Sequence, residues 1–421
     1  AGVGGFVLYE GVSPRATAEL VADLRSAAEP KGIGPIVAVD QENGAGHVVM
    51  GATELPPEMA FAAAGSTELM YQAALNAARE GRAMGFDLNY APVADYTCAQ
   101  VGPVESGRTF GSDLCITRAM LHAYVRGYNE GGMRTSAKHF PGRGGVKPGP
   151  DDPWWCWIDK PAEVVQAEDF AAFSSAIEAG VDFVMTEHIA VPSITGDWQP
   201  ACVSEALVTG QLRQKLGFTG IITSDDLWYP QVCERFGAEE VAVRALLAGH
   251  DVLLKPKDPL ATIEHIAKAV ADGRLSENRV DESLRRLLTF KTKIADRPPV
   301  DPDLAEQIAG AAAHQAVAQE VADRAVTVLI NRGNTLPLSR QRLQAAGTLV
   351  HITIAKRAGD RLPDAVESEL RAMFPGMPVC FSTLTVDEGV TEASAEKLLT
   401  SAKAAGLALL SVAVQRNRLG D

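Results

Sequence analysis

Short apolar runs recur along the first two thirds of the chain, each followed by a stretch of helical length rich in Ala, Leu, Glu and Arg. Continuous apolar runs are typical of parallel strands buried on both faces. Because strands alternate with helices and crossovers are right-handed, the pattern predicts a (β/α)8-type barrel, with an eighth strand expected before Ala1 or as an irregular segment. The seven predicted strands are Gly5–Tyr9, Pro35–Asp40, Asp87–Pro92, Thr135–Phe140, Val181–Thr186, Gly220–Asp225 and Asp251–Lys255.

Most of these runs end in polar or charged residues. They are Asp40, Asn89, Lys138-His139, Thr186-Glu187-His188, Ser224-Asp225-Asp226 and Lys255. A barrel carries its active site at the carboxyl ends of its strands. So many ionisable groups at the same end of successive strands therefore favour a barrel over an open sheet and predict the place of the site.

The pattern changes after about Arg297, which predicts three regions: a catalytic barrel over 1–297, a linker with a helix over 298–324, and a partial C-terminal α/β domain over 325–421. Pro298–Pro302 is typical of a linker, and Leu304–Arg324 predicts one Ala-rich helix. Further strands are predicted at Ala325–Ile330, Thr348–Ile354, Pro378–Phe381 and Leu407–Val412. The last of these lies close to Asp421, so the domain is expected to be truncated.

The composition argues against some classes of binding partner. With 39 basic and 53 acidic residues the formal charge is −14, which argues against nucleic acid and anionic membranes. No apolar run reaches transmembrane length. Six cysteines lie far apart with no C-x-x-C pair, so free thiols in a reducing, cytoplasmic compartment are expected. The oligomeric state is not predicted.

Several common chemistries have no motif in this chain. There is no GxxxxGK[ST] phosphate loop, no HExxH zinc helix and no GxSxG elbow. Only His139 and His188 among eight histidines fall at strand ends, too few for a metal site. Neither a metal nor a cofactor is predicted.

The segment Gly220–Tyr229 has the most informative pattern. A short strand delivers Asp225 and Asp226 and then two aromatic residues, Trp228 and Tyr229. Successive strand residues point to opposite sides, so one carboxylate aims into the barrel mouth and the other is a helix cap or an ion-pair partner. Aromatic rings beside a carboxylate suit a sugar, whose C–H faces pack on rings. The alternative is a purely structural pair of capping carboxylates.

A second segment, Ala137–Gly145, ends a strand in Lys138 and His139 and turns at Pro141-Gly142. These side chains supply donors for vicinal hydroxyls. A basic pair is also expected to lower the pKa of a nearby carboxylate and keep a nucleophile ionised. The alternative is a surface turn with incidental charge.

Together these motifs resemble glycoside hydrolase family 3, in particular its bacterial β-N-acetylglucosaminidase branch. The matching stretches are Ala38–Gly44, Asp87–Val93, Gly107–Gly111, Ala137–Gly142 and Ser224–Leu227, in family order across residues 1–295. Any one motif is weak, and five in order are specific. A weaker match over Ala325–Ile330 and Asn334–Leu338 resembles the start of the second domain of longer members.

The resemblance implies roles for individual residues. Asp225 occupies the position of the family nucleophile, and a group of residues is predicted to bind the sugar: Asp40, Arg108, Lys138, His139 and His188. Retaining enzymes form a glycosyl-enzyme intermediate and hold their two carboxyl groups roughly 5–5.5 Å apart.

The chain departs from this branch after Gly142. Arg143 stands where the branch carries His, and Gly149–Trp155 replaces the segment that bears its acid/base His. Asp152, or else Asp151, is predicted to be the acid, because neighbouring tryptophans would raise the pKa of a carboxyl group. Alternatives are Glu187, His188 or a Glu from the second domain. Ala45 also replaces an Arg of the relatives, which bears on recognition of remote substrate groups.

The predicted function is a retaining β-glycosidase that acts on terminal β-linked sugars of a small carbohydrate or glycan, with β-N-acetylhexosaminides preferred. The alternatives are a β-glucosidase-type hydrolase, a glycoside phosphorylase and a non-catalytic glycan-binding relative.

Overall fold

A computed structural model describes most of the chain in two compact units, residues 1–326 and 327–421. The described residues are 3–28, 34–96, 107–148, 156–295, 298–332, 336–337, 339–355, 362–373, 379–385, 391–405 and 407–412.

The first unit is built on a parallel sheet of six strands arranged in the order of the chain, as in a (β/α)8-type barrel. The strands are β1 (Gly5–Leu8), β2 (Ile36–Val39), β3 (Leu88–Asn89), β4 (Arg134–Phe140), β7 (Phe183–Thr186) and β8 (Ile221–Ser224). A short antiparallel hairpin, β5 (Val146–Lys147) with β6 (Trp157–Ile158), is inserted after β4.

The seventh predicted strand, Asp251–Lys255, does not form a full strand. Only one bridge joins Val252 to Thr223 of β8. The backbone then leaves the extended conformation, with Lys255 at a φ of 48°. The prediction of a full strand is therefore wrong, although the segment lies beside β8 as a barrel order requires.

A buried apolar cluster shows that the sheet curves around its own interior. Alternate side chains of the central strands, such as Ala38, Leu88 and Phe183, pack with Ile221 at one edge and with Val7 at the other. Side chains from the first and last strands can share one cluster only if the sheet wraps around it. A larger cluster fills the layer between the sheet and the surrounding helices.

Helices cover the outside of the sheet. They are α1 (Pro14–Ala28), α2 (Glu58–Ala64), α3 (Thr67–Ala83), α4 (Leu114–Glu130), α5 (Ala162–Ala167), α6 (Asp169–Glu178), α7 (Pro192–Thr195), a π-helical segment (Ala206–Lys215), α8 (Pro230–Phe236), α9 (Glu240–Ala248), α10 (Pro259–Ala271) and α11 (Glu277–Lys293). Short 3₁₀ turns lie at Ala45–His47 and Ala201–Val203.

Residues 298–326 belong to the first unit and contain two helices, α12 (Pro302–Ile308) and α13 (Ala312–Ala325). The prediction of one helix over Leu304–Arg324 is therefore wrong. The chain breaks at Gly310, which has a φ of 68° and lies so close to Gly51 that a Cβ would collide with its carbonyl oxygen. His314 of α13 bonds to Glu80 of α3 at 2.6 Å and ties the pair of helices to the barrel.

The second unit contains a parallel sheet in the order β10-β9-β11. Its elements are α14 (Arg340–Ala346), β9 (Leu349–Ala355), α15 (Leu362–Met373), β10 (Val379–Thr385), α16 (Glu392–Ala404) and β11 (Leu407–Val412). The strand predicted over Ala325–Ile330 is wrong. Ala325 ends α13, and Val326, Val328, Leu329 and Ile330 are each more than half exposed, without a strand partner among the described residues.

Five cysteines in the described ranges are free thiols: Cys115, Cys156, Cys202, Cys233 and Cys380. Within the same ranges, the helices are either too short or too polar to span a bilayer.

Candidate active site

Neighbouring strands bring the predicted site residues to one edge of the sheet. Asp40 follows β2, Lys138 and His139 lie near the end of β4, Glu187 follows β7, and Asp225 follows β8. Backbone bonds set their spacing. Glu187 N donates to Phe140 O at 2.7 Å, and Asp225 N donates to Thr186 O at 3.0 Å. The site therefore lies at the carboxyl ends of the strands.

A buried network of charges lines one side of this edge. Lys138 Nζ donates to Asp40 Oδ1 at 2.6 Å and lies 2.9 Å from Glu42 Oε1. Arg108 donates to both oxygens of Glu42, at 3.0 and 2.6 Å. Burial opposes the charge on Glu42, but Lys138 and Arg108 hold the pKa of this carboxyl well below its usual range. Asp40, whose side chain is 34% exposed, is the member that faces the open mouth.

His139 is held by a different carboxylate. Its Nδ1 lies 2.7 Å from Asp95 Oδ2, and its backbone N–H donates to Asp95 Oδ1 at 3.1 Å. Burial and the positive charges of Arg143, Arg108 and Lys138 keep the pKa of His139 well below its usual value. The ring is therefore neutral. With Nδ1 protonated toward Asp95, Nε2 is an acceptor for a hydroxyl group.

Asp225 stands beside a second carboxylate and a guanidinium. Arg143 donates from Nε to Glu187 Oε2 at 2.7 Å and also from Nη2 to the same oxygen. The same Nη2 lies 4.0 Å from Asp225 Oδ2. The loop that carries Arg143 depends on Gly144, where a Cβ would collide with the carbonyl oxygen of Tyr96. The Asp225 side chain is 23% exposed, against 9% for Glu187.

The pKa values of Asp225 and Glu187 are shifted in opposite directions. Burial and the neighbouring Glu187 raise the pKa of Asp225 to about 6. Although burial opposes its charge, Arg143 and His188 lower the pKa of Glu187. The expectation that Lys138 and His139 lower the pKa of the nucleophile is wrong. His139 is neutral, and Lys138 is bound to Asp40 and Glu42.

His188 borders the site next to the end of β7. Its Nε2 lies 3.0 Å from the carbonyl oxygen of Asp226, and its ring stacks on Tyr229 with centroids 5.6 Å apart. Burial disfavours the imidazolium, but Cys202 and the carboxylates of Glu187 and Asp225 raise the pKa of His188 to about 10. The ring is therefore positively charged at neutral pH.

Asp226 points away from Asp225, as strand alternation predicts. Its Oδ2 lies 2.7 Å from Lys255 Nζ, so the prediction of an ion-pair role for one of the two carboxylates is confirmed. The Lys255 ammonium also lies over the rings of Tyr9, at 4.5 Å, and Trp228, at 5.8 Å. Trp228 and Tyr229 are 55% and 38% exposed and border the mouth.

The predicted acid/base segment lies outside the described residues. It contains Asp151, Asp152, Trp154 and Trp155. Trp157, just beyond it in β6, packs edge-on against Trp198 with ring centroids 5.1 Å apart.

Three side chains that could act as metal ligands lie together at the site. Single ligand atoms of His139, Glu187 and Asp225 lie within 4.8 Å of one another. Glu187, however, accepts hydrogen bonds on both oxygens, from His188 N and from Arg143, and Arg143 places a positive charge beside Asp225. These contacts favour ion pairing within the protein over cation binding.

Two carboxylates of the candidate site were not predicted from the sequence. Glu42 joins Lys138 to Arg108, and Asp95 orients His139. Glu42 belongs to the motif Ala38–Gly44, which offered a signal. Asp95 follows β3 by several residues, and no local pattern distinguishes it from a surface loop residue.

Comparisons with known proteins show the family of the chain. A family model described as the glycosyl hydrolase family 3 N-terminal domain matches residues 1–290. The chain belongs to glycoside hydrolase family 3. The resemblance inferred from the five motifs is thereby confirmed.

Relatives within family 3 are similar over much of the chain. A β-N-acetylglucosaminidase/β-glucosidase of Cellulomonas fimi is 30% identical over 353 residues, which cover 81% of this chain and 61% of that protein. A β-hexosaminidase of Xanthomonas euvesicatoria is 35% identical over 271 residues, covering 60% of this chain and 76% of the relative. The chain therefore spans less than two thirds of the length of the Cellulomonas fimi relative.

A solved structure supports the same fold. The family 3 β-N-acetylglucosaminidase of Paenibacillus superposes with a TM-score of 0.81 at 27% identity, covering 97% of this chain and 78% of that one.

Proposed function

We propose that this family 3 protein is a retaining β-glycosidase that hydrolyses terminal β-N-acetylhexosaminides, with Asp225 as the nucleophile. The observation that carries the proposal is the position of Asp225. It is a partly exposed carboxylate at the end of β8, among the buried charges of Lys138, Glu42, Arg108, Glu187 and Arg143. The names of the Cellulomonas and Xanthomonas relatives support the sugar class.

In this mechanism Asp225 attacks the anomeric carbon as the bond to the leaving oxygen breaks, and a water molecule then releases the sugar from the ester. Asp40 accepts a hydrogen bond from one ring hydroxyl. Lys138 donates to a neighbouring hydroxyl, while neutral His139 accepts through Nε2. Arg108 acts through Glu42, which it holds in place beside Lys138.

The acid/base is proposed to be Asp152. Among its rivals, Glu187 lies at a spacing from Asp225 that suits a retaining pair, but Arg143 and the N–H of His188 bind its oxygens and keep it ionised. His188 holds its proton too tightly for efficient transfer, with a pKa of about 10. Both observations count against these two rivals and leave Asp152, with Asp151 and a Glu from the second domain as the alternatives.

The test uses p-nitrophenyl β-N-acetylglucosaminide and β-glucoside, each with and without phosphate. Hydrolysis of the first without phosphate supports the proposal, whereas dependence on phosphate would indicate a phosphorylase. A 5-fluoro glycosyl fluoride of the preferred sugar should trap the intermediate. Mass spectrometry should then find the label on the peptide that contains Asp225, and a label elsewhere would reject the nucleophile.

The acid/base has its own test. Asp152→Ala should slow glycosides with poor leaving groups far more than dinitrophenyl glycosides, because only poor leaving groups need protonation. Azide should partly restore turnover of the dinitrophenyl substrate. Equal loss on both substrates would place the acid in another part of the chain.

A further inference from the structure

Two carboxylates at the barrel mouth, Asp225 and Glu187, lie close together. Oxygens of Asp225 and Glu187 approach within 4.8 Å. Two negative charges at this separation repel each other. Without a positive charge nearby, one of the two carboxylates would therefore be protonated. Arg143 supplies the compensation, because its Nη2 binds Glu187 and lies 4.0 Å from Asp225 Oδ2.

Glu187 holds Arg143 at two nitrogen atoms. Both Nε and Nη2 of the guanidinium donate to Glu187 Oε2. Glu187 is itself fixed on its other oxygen, where Oε1 accepts from His188 N at 2.8 Å. The two side chains are 12% and 9% exposed, so water cannot readily replace these bonds. The guanidinium is therefore kept at the edge of ion-pair distance from Asp225.

We infer that Glu187 is a positioning residue that holds the Arg143 guanidinium beside the nucleophile while preventing it from binding Asp225 directly. The inference rests on the proposed role of Asp225. A carboxylate bound by a charge-assisted hydrogen bond is a weaker nucleophile, whereas one next to an uncompensated carboxylate is protonated too readily. The pair avoids both conditions.

Other charged and titratable groups surround Asp225. Tyr9, Tyr90, His188 and Tyr229 interact with its charge, and His139 on β4 lies beside it. Asp40 after β2 pairs with Lys138 on β4, and Asp226 after β8 pairs with Lys255. These groups are the same in every variant of Arg143 and Glu187, so differences between the variants are compared against a constant set of charges.

The experiment compares the pH dependence of kcat/KM in Glu187→Gln, Arg143→Met and the double variant. In Glu187→Gln the negative charge beside Asp225 is lost and Arg143 is held less firmly, so the acid limb of the profile should move down by about one pH unit. Because Arg143 can then bind Asp225 directly, kcat should fall as well. In Arg143→Met the two carboxylates repel, so the limb should move up by about one unit. In the double variant both charges are gone, and the limb should return close to that of the wild type.

A surface pair provides the matched control. Arg274 Nη2 donates to Glu240 Oε2 at 2.8 Å at the start of α9, so Arg274→Met with Glu240→Gln should leave the limb in place. Movement of the limb in the same direction in both single variants of the Arg143–Glu187 pair, or no movement, would overturn the inference. Glu187→Gln is the variant best able to fold, because its amide oxygen can still accept a weaker bond from Arg143. Loss of the Glu187 charge alone would also lower the limb, so a downward movement without a fall in kcat in this variant would overturn the inference as well.

A second readout does not need turnover. Titration of ¹³C-carboxyl-labelled aspartate by NMR, with Asp225→Asn to assign the signal, follows Asp225 directly. Opposite displacements of this titration in the two single variants support the inference, and a common direction rejects it. If the wild type hydrolyses no glycoside, the proposed function fails separately.

Discussion

Asp225 and Asp251 lie near opposite ends of strand β8, and their carboxylates differ in the number of hydrogen bonds that they accept. Asp251, completely buried, accepts bonds from Ile222 N, Ser283 Oγ, Arg213 and Arg286. Asp225 accepts one described hydrogen bond, from Asp226 N at 2.7 Å, and remains 23% exposed. A carboxylate with all its oxygens bound stabilises a fold, whereas one left partly unbound is available to a substrate.

The largest effect should come from Asp225→Ala. Loss of the nucleophile removes the covalent step, so kcat should fall by about four orders of magnitude or more while the fold is retained. Steady-state kinetics on an activated glycoside and circular dichroism check the two parts. Retention of more than roughly a tenth of the activity would place the nucleophile elsewhere.

Asp251→Ala should lower the stability of the fold and leave catalysis unchanged. It leaves the largely buried Arg213 and the partly exposed Arg286 without this partner, which should lower the free energy of unfolding by about 3–5 kcal/mol. All five tryptophans belong to the first unit, so urea denaturation followed by tryptophan fluorescence reports this unit alone. The kcat of the folded fraction should be retained. A large drop in kcat with unchanged stability would contradict this difference between Asp225 and Asp251.

Asp40→Ala should weaken the transition state by about 2–3 kcal/mol, since a buried sugar hydroxyl and Lys138 both lose a partner. The measurement is kcat/KM on the preferred glycoside. Arg15→Ala, on an exposed pair with Glu306 of α12, is the control and should not change kcat/KM. An unchanged value for Asp40→Ala would remove this residue from the sugar site.

Asp225→Asn should stabilise the protein at neutral pH. Because the folded pKa of about 6 lies above the unfolded value, the ionised carboxyl destabilises the fold above pH 6, and this penalty vanishes as pH falls to about 4. The gain should reach about 1–3 kcal/mol at pH 7 and disappear near pH 4. Thermal unfolding at both pH values measures it. An equal gain at pH 4 would show that charge is not the cause.

The strand pattern predicted much of the site. Asp40, Lys138, His139 and Asp225 end apolar runs, and parallel strands bring such ends to one edge. The partners of these residues were not predictable in the same way. Lys138 binds Asp40 from 98 positions away, and Arg108 binds Glu42 from 66. No local pattern identifies which carboxylate a distant cation reaches.

The sequence by itself determined the alternation of strand and helix, the edge at which the site lies and the family, because these follow from hydrophobic period and motif order. The motif order also predicted Asp225 as the nucleophile, but only the tertiary structure decided which carboxylate stays partly exposed and partly unbound. Asp225 and Asp251 both border apolar runs, and they differ only in which donors the folded chain places around them. The pairing of Arg143 with Glu187 was likewise decided in three dimensions, because the two residues follow neighbouring strands but stand 44 positions apart.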